Sequence, residues 1–214
     1  MDEEISIINT RSRNEKIKLF FTENKKKLII FFSIIIIIIF CFFIYQDLVK
    51  KKKIELSNKF NSVSMNYISG NKTGTKQKLI EVINSNDKTY APLALYFLID
   101  NDIVNSKEEI NNLFDTVINK SKLDKEIKNL IIYKKALFNS EFATESDLLE
   151  ILNPILNSES AWESHALYLL GEYFYSKGEN KKSKEFFEKV INLENSSIEL
   201  KTESQKRIQR DLSD

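Results

Sequence analysis

Hydrophobic positions follow two patterns along this chain, one continuous and one periodic. From Leu28 to Tyr45 the sequence reads LIIFFSIIIIIIFCFFIY, 18 residues interrupted only by Ser33. Lys25–Lys27 precede the run, and Lys50–Lys53 follow it after Leu48-Val49. About 20 apolar residues carry a helix across the ~30 Å hydrocarbon core of a bilayer. Flanking lysines reach the headgroups through their long stems. The pattern predicts one transmembrane helix over 28–49. A cleaved signal peptide has an apolar core of ~7–15 residues followed by a small-residue cleavage site. Tyr45-Gln46-Asp47-Leu48-Val49-Lys50 offers no small residue there. Phe40 likewise denies Cys41 the small neighbour of an acylated lipoprotein cysteine, and the isoleucines from Ile34 to Ile39 are foreign to a globular core helix.

Beyond this block the apolar residues recur at helical spacing. Leu56, Phe60, Val63 and Tyr67 step by four, three and four. Gly70-Asn71-Lys72-Thr73-Gly74-Thr75 breaks the pattern and reads as a mobile interhelix turn. Leu79, Val82 and Ile83 then mark a short helix that stops near Ser85-Asn86-Asp87. Further helices are expected over 90–101, 106–120, 124–139, 146–157, 160–177, 180–193 and 197–211. Ser106 and Glu109 have capping-box spacing, Ser146-Asp147 and Ser160 are expected N-caps, and Pro154 falls near a helix end. No segment alternates as a strand does. Upstream of the span, 1–13 reads as a polar tail and 14–27 as an amphipathic helix bearing Ile17, Phe20 and Phe21. The expected fold is all-α: one transmembrane helix, then an α-solenoid of three to four antiparallel helix pairs over 50–214.

One pair carries a tetratricopeptide-like signature. Leu170, Gly171, Phe174 and Gly178 are followed by Ser183, Phe187 and Val190 at the spacing of a ~34-residue unit, here 164–197. Small Gly171 and Ser183 allow close approach of two helices, Phe174 and Phe187 fill the interface, and Gly178 makes the turn. Leu167 and Asn195 stand where the pattern has tryptophan and proline. Ile110, Phe114 and Val117 repeat the spacing of Ser183, Phe187 and Val190, with Leu98 in the place of the glycine. Residues 55–85 and 124–157 match further pairs by length and periodicity. A lone repeat cannot bury its apolar face, so stacked neighbours are implied.

Composition narrows the function. Four glycines and two prolines are too few for the turns of an all-β domain. Residues 1–53 hold 11 Lys and Arg against 6 Asp and Glu, while 54–214 hold 21 against 25. An acidic domain without a basic stripe is no nucleic-acid binder. Cys41, the single cysteine, lies in the span, which leaves neither an intramolecular disulfide nor a cysteine metal cluster. Its thiol reads as inert, with palmitoylation the alternative. Near the span, Arg13, Lys16, Lys18 and Lys25–Lys27 face Lys50–Lys53 and Lys59, so charge counting leaves the orientation open.

Candidate chemistry is sparse. His165 is the one histidine, without a second ligand at metal-binding spacing, and no G-x-S-x-G or G-x-x-x-x-G-K occurs. No catalytic, metal or cofactor site and no small-molecule substrate is expected. The mixed Glu and Lys residues of 163–189 read as a solvated face. The binding candidates are His165, Tyr168, Glu172 and Tyr175, which share one side of the first helix of the 164–197 unit and would line a protein-binding groove. The alternative is that Tyr168 and Tyr175 pack on the preceding helix pair.

The order of parts resembles the ancillary subunit family of the bacterial SecYEG translocon. Phe20-Phe21-Thr22-Glu23-Asn24 stands where that family has FF-x-EN before its anchor, and Tyr90-Ala91-Pro92-Leu93-Ala94 matches a tyrosine followed by alanines in mid-domain. Trp162, Leu170-Gly171-Glu172 and Ser176-Lys177-Gly178-Glu179 follow its last repeat. The resemblance implies a single-pass inner-membrane protein with 1–27 in the cytoplasm and the domain in the periplasm. It also implies protein partners: translocon subunits, periplasmic chaperones or exported chains, with membrane lipid around the anchor. An anchored repeat protein coordinating cell division or envelope assembly fits the same architecture.

Overall fold

The computed structural model describes residues 18–67 and 71–212, and among these the regular structure is helical with no strand. Helix α1 is described over 18–23. It is followed by α2 (Lys25–Met65), α3 (Lys72–Asn84), α4 (Tyr90–Asp100), α5 (Lys107–Lys120) and α6 (Lys125–Asn139), then α7 (Glu145–Leu152), α8 (Glu163–Ser176), α9 (Asn180–Asn192) and α10 (Ile198–Asp211). The expected tail 1–13 and residues 14–17 of the expected amphipathic helix lie outside the described residues. The chain divides into two units, one up to Glu55 and one from Leu56.

Helix α2 is long and apolar enough to cross a membrane, and none of its apolar run, which lies in the first unit, is buried. At about 1.5 Å per residue, 28–49 is roughly 33 Å long. A helix satisfies its backbone groups internally, which hydrocarbon demands. The hydroxyl of Ser33 is satisfied in the same way, donating to the carbonyl of Ile29 at 2.8 Å. Lys51 pairs with Asp47 one turn back at 2.8 Å.

The second unit is periodic. Helices α3, α5, α7 and α9 begin at Lys72, Lys107, Glu145 and Asn180, steps of 35, 38 and 35 residues. Helices α4, α6, α8 and α10 begin at Tyr90, Lys125, Glu163 and Ile198, the same three steps. Counting back 35 residues from α4 gives 55–65, the last turns of α2. Buried triplets recur at equivalent positions: Thr75-Leu79-Val82 in α3, Ile110-Phe114-Val117 in α5, Leu148-Leu152-Ile155 in α7 and the turn after it, and Ser183-Phe187-Val190 in α9. Spacings of four and three place each triplet on one face, so the core runs as one seam through the unit.

Side chains join equivalent helices across the same interval. Lys76 of α3 pairs with Glu109 of α5 at 2.7 Å, and Lys182 of α9 with Glu145 of α7 at 2.8 Å. Glu126 of α6 accepts from Ser160, just before α8, at 2.8 Å, and Glu172 of α8 is held by Arg207 of α10. These partners are 33 to 37 residues apart in sequence.

Several local expectations are corrected. Lys72-Thr73-Gly74-Thr75 lies inside α3 rather than in a turn, and Thr75 is buried there. Tertiary burial of Thr75 beside Leu79 outweighs the weak helix propensity of Gly74. The cap of α7 is Thr144 in a capping box with Asp147, not Ser146-Asp147. That helix ends at Leu152 instead of 157, and α8 starts at Glu163 rather than 160. Ser160 ties its loop to Glu126 rather than capping α8. Ser106 caps α5 as expected, but the carboxylate of Glu109 turns to Lys76. Tyr67 lies just past the end of α2, its ring edge-on to Phe97 at 5.5 Å.

Candidate functional site

The clearest candidate surface is carried by the α8–α9 hairpin. Gly171 and Ser183 are buried where the helices meet, and the Ser183 hydroxyl donates to the Gly171 carbonyl at 2.8 Å. A Cβ on Gly171 would lie 2.7 Å from Cε1 of the fully buried Phe187. Only glycine admits that ring so near the backbone. Phe174 stacks on Phe186 at 5.3 Å and 9°. The hairpin turns at Gly178, whose φ of 75° is left-handed, while Glu179 N–H reaches the Phe174 carbonyl at 2.9 Å. That pairing closes α8 as a Schellman motif, for which glycine is the usual residue. Leu170 and Val190 complete the buried side.

His165, Tyr168, Glu172 and Tyr175 stand on the less buried side of α8, all four half-buried. They do not form a single open row. Arg207 of α10 covers the later half: its Nε and Nη2 meet the two Glu172 oxygens at 2.6 and 2.5 Å, and its guanidinium lies 4.4 Å from the Tyr175 ring centre. Arg207 also donates to Asp211 at 2.5 Å. Tyr168 packs edge-on to Phe187 at 5.3 Å. The two tyrosines thus meet the following helices α9 and α10. Burial first, then the neighbouring Glu172 carboxylate, pushes the Tyr168 hydroxyl up to about 12.

The earlier half belongs to a ring cluster that the sequence pattern did not reveal. Tyr133 of α6 stacks on Trp162 at 5.7 Å, and His165 lies 5.0 Å from Trp162 and 5.8 Å from Tyr133. Trp162 and His165 are three apart, as on one helix face, but Tyr133 joins them only through the α6–α8 packing. A further ring on an equivalent helix is Tyr96 of α4, with the Lys134 ammonium 3.9 Å from its centre. Burial, and secondarily Asp100, pushes its hydroxyl up to about 12. Helices α4, α6 and α8 therefore present half-buried aromatic rings, which offer large contact area at small entropy cost.

Among the clefts that open between helices, two have volumes near 500 Å³. One of about 500 Å³ lies among α5, α6 and α7. Four of its polar side chains are already paired: Asn111 and Asn139 exchange amide hydrogen bonds of 3.0 and 2.8 Å, and Lys135 meets Asp115 at 2.7 Å. The other, of about 540 Å³, lies among α7, α8 and α9 and is mainly apolar. Among the described residues no group of three or more His, Cys, Asp or Glu is placed to hold a metal ion. The His165 ring nitrogen Nδ1 faces the Ala161 carbonyl at 3.3 Å.

No protein-family model, no curated protein and no solved structure matches this chain.

Proposed function

We propose that this protein is a non-catalytic, membrane-anchored scaffold for other proteins, built from tetratricopeptide-like helix pairs. The observation that carries this reading is the recurrence of equivalent helices every 35 to 38 residues directly after a membrane-length apolar helix. That interval is close to the ~34 residues of a tetratricopeptide unit. The small-against-large contact of Gly171 and Ser183 with Phe187 supports the same reading. Stacked helix pairs present long surfaces for polypeptides, and the ring-bearing side of α4, α6 and α8 is the surface suited to them.

The partner in this proposal is the SecYEG translocon, with exported chains and periplasmic chaperones close by. It rests on the order of Phe20-Phe21-Thr22-Glu23-Asn24, the apolar span, Tyr90-Ala91 and the 164–197 unit. The N-terminus is then cytoplasmic and the helical domain periplasmic. The anchor raises the effective concentration of the domain at the translocon exit, so weak contacts suffice. Affinity purification in mild detergent with mass spectrometry tests this; translocon subunits are expected, and division or cell-wall proteins in their place overturn it. Alkaline phosphatase or a cytoplasm-restricted fluorescent protein fused after Asp214 tests the topology. Fluorescence without phosphatase activity removes the translocon from the proposal.

A further inference from the structure

The geometry points to the cavity among α7, α8 and α9 as a docking pocket for an uncharged, apolar stretch of unfolded polypeptide. Its volume of about 540 Å³ lies within the usual range of ligand pockets. Leu149, Leu156, Leu167, Phe186 and Leu193 form its apolar walls. All but Leu167 are only half-buried, so apolar surface is left facing the opening.

The polar groups narrow the occupant. Glu163 lines the cavity with 8% of its surface exposed, and its Oε1 accepts the Asn157 N–H at 2.9 Å. Among the described residues this carboxylate makes no ion pair, and its hydrogen bond from Asn157 leaves Oε2 open as an acceptor. Lys189 and Asn192 also line the cavity, the Lys189 ammonium lying 4.7 Å from the Phe186 ring centre. One acidic and one basic group leave no net charge, so a charged segment gains nothing on entering. A peptide backbone matches both: an N–H donates to Glu163 Oε2, a carbonyl accepts from Lys189 or Asn192, and apolar side chains fill the leucine walls.

The equivalent cleft one repeat earlier shows that the opening is particular to this place. Asn111, Ile118 and Ile151 there correspond to Leu149, Leu156 and Phe186 here. In that cleft the amides of Asn111 and Asn139 satisfy each other and Lys135 is paired with Asp115. The later cleft has exchanged self-paired amides for unpaired apolar surface.

The inference rests on the protein-binding reading above, but not on the translocon as partner. The test uses the full chain in lipid nanodiscs and a dansylated, uncharged decapeptide of glycine and serine carrying a central Leu-Phe-Leu. Saturable binding is expected, weakened at least tenfold when aspartates flank the Leu-Phe-Leu. Leu149→Gln with Leu156→Gln should weaken it at least tenfold. Glu163→Gln, which keeps the Oε1 acceptor for Asn157 but puts a donor where the ligand needs an acceptor, should weaken it severalfold. Asn119→Gln, in the other cleft, should leave it unchanged. Should the double variant lose its helical circular dichroism, Glu163→Gln decides alone. Equal binding by Glu163→Gln, equal binding of the aspartate-flanked peptide, or the same signal from empty nanodiscs overturns the proposal. So does a dimer in sedimentation that excludes the peptide, since a second copy then fills the pocket. If the peptide fails while purification still recovers translocon subunits, only the pocket is lost.

Discussion

The α8–α9 and α4–α5 hairpins occupy equivalent places in the sequence period and are packed with side chains of different size. In the first, Gly171 and Ser183 lie beneath Phe187, small residues against a large one. In the second, Leu98 and Ile110 take the places of Gly171 and Ser183, with Phe114 in the place of Phe187, and all three are buried. Position and burial are therefore preserved while the volume at two of the three positions, one on each helix, changes. Interiors pack at near-crystalline density, so each solution is right only for its own partners. A residue that seats one hairpin overfills or hollows the other.

The ring common to both hairpins gives the largest expected effect. Phe187→Ala empties a fully buried site and should cost about 3–5 kcal/mol, read as a lowered denaturation midpoint. Phe114→Ala should fall in the same range, and a small loss at either position would break the equivalence of the hairpins. Leu98→Ala comes next, at about 2–5 kcal/mol, because Leu98 is fully buried and its removal leaves a cavity.

At the equivalent place in α8 the opposite change is harmful. Gly171→Leu should cost about 1–3 kcal/mol by overpacking, since even a Cβ comes within 2.7 Å of the Phe187 ring. Combined with Phe187→Ala, it should cost less than the two single losses added, as expected for residues sharing one space. An unchanged melting temperature for Gly171→Leu, or strict additivity, would show that the close approach is not what holds α8 to α9.

Smaller effects come from titration. Hydrogen bonds from the Thr144 side chain, and then from its backbone, hold the Asp147 carboxyl below its ordinary value. The stability this group contributes is present above the usual carboxylate range and is lost as pH falls through its depressed value. Asp147→Asn should flatten that part of the acid transition followed by circular dichroism, whereas an unaltered profile would free α7 from dependence on its capping box. Tyr168 has the opposite sense. Its raised hydroxyl contributes fully below pH 10, and that contribution is lost as pH rises toward about 12. Tyr168→Phe should reduce the alkaline sensitivity of the α8–α10 side, and a transition identical to the parent's would place the alkaline loss elsewhere.

Much of the architecture was legible before any packing was known. The apolar run at 28–45 declares itself because a membrane-length helix needs nothing but continuous hydrophobic residues, and Ser33 bonds within its own turn. Helix periods were readable for the same local reason, as was the close approach of Gly171 and Ser183 to Phe187, which the spacing of small and large residues announces. Equivalent positions elsewhere were faint, because Leu98 and Ile110 keep the burial of Gly171 and Ser183 without keeping residue type. Tertiary structure alone decided that Lys72–Thr75 is helical, since the burial of Thr75 depends on neighbours distant in sequence. It alone drew Arg207 across Glu172 and Tyr175, and Tyr133 against Trp162 and His165, over intervals of about thirty residues. The half-buried side of α8 is assembled from side chains about thirty residues apart in sequence. Local pattern names the helices that bear them, and only the stacking of those helices determines which side chains meet.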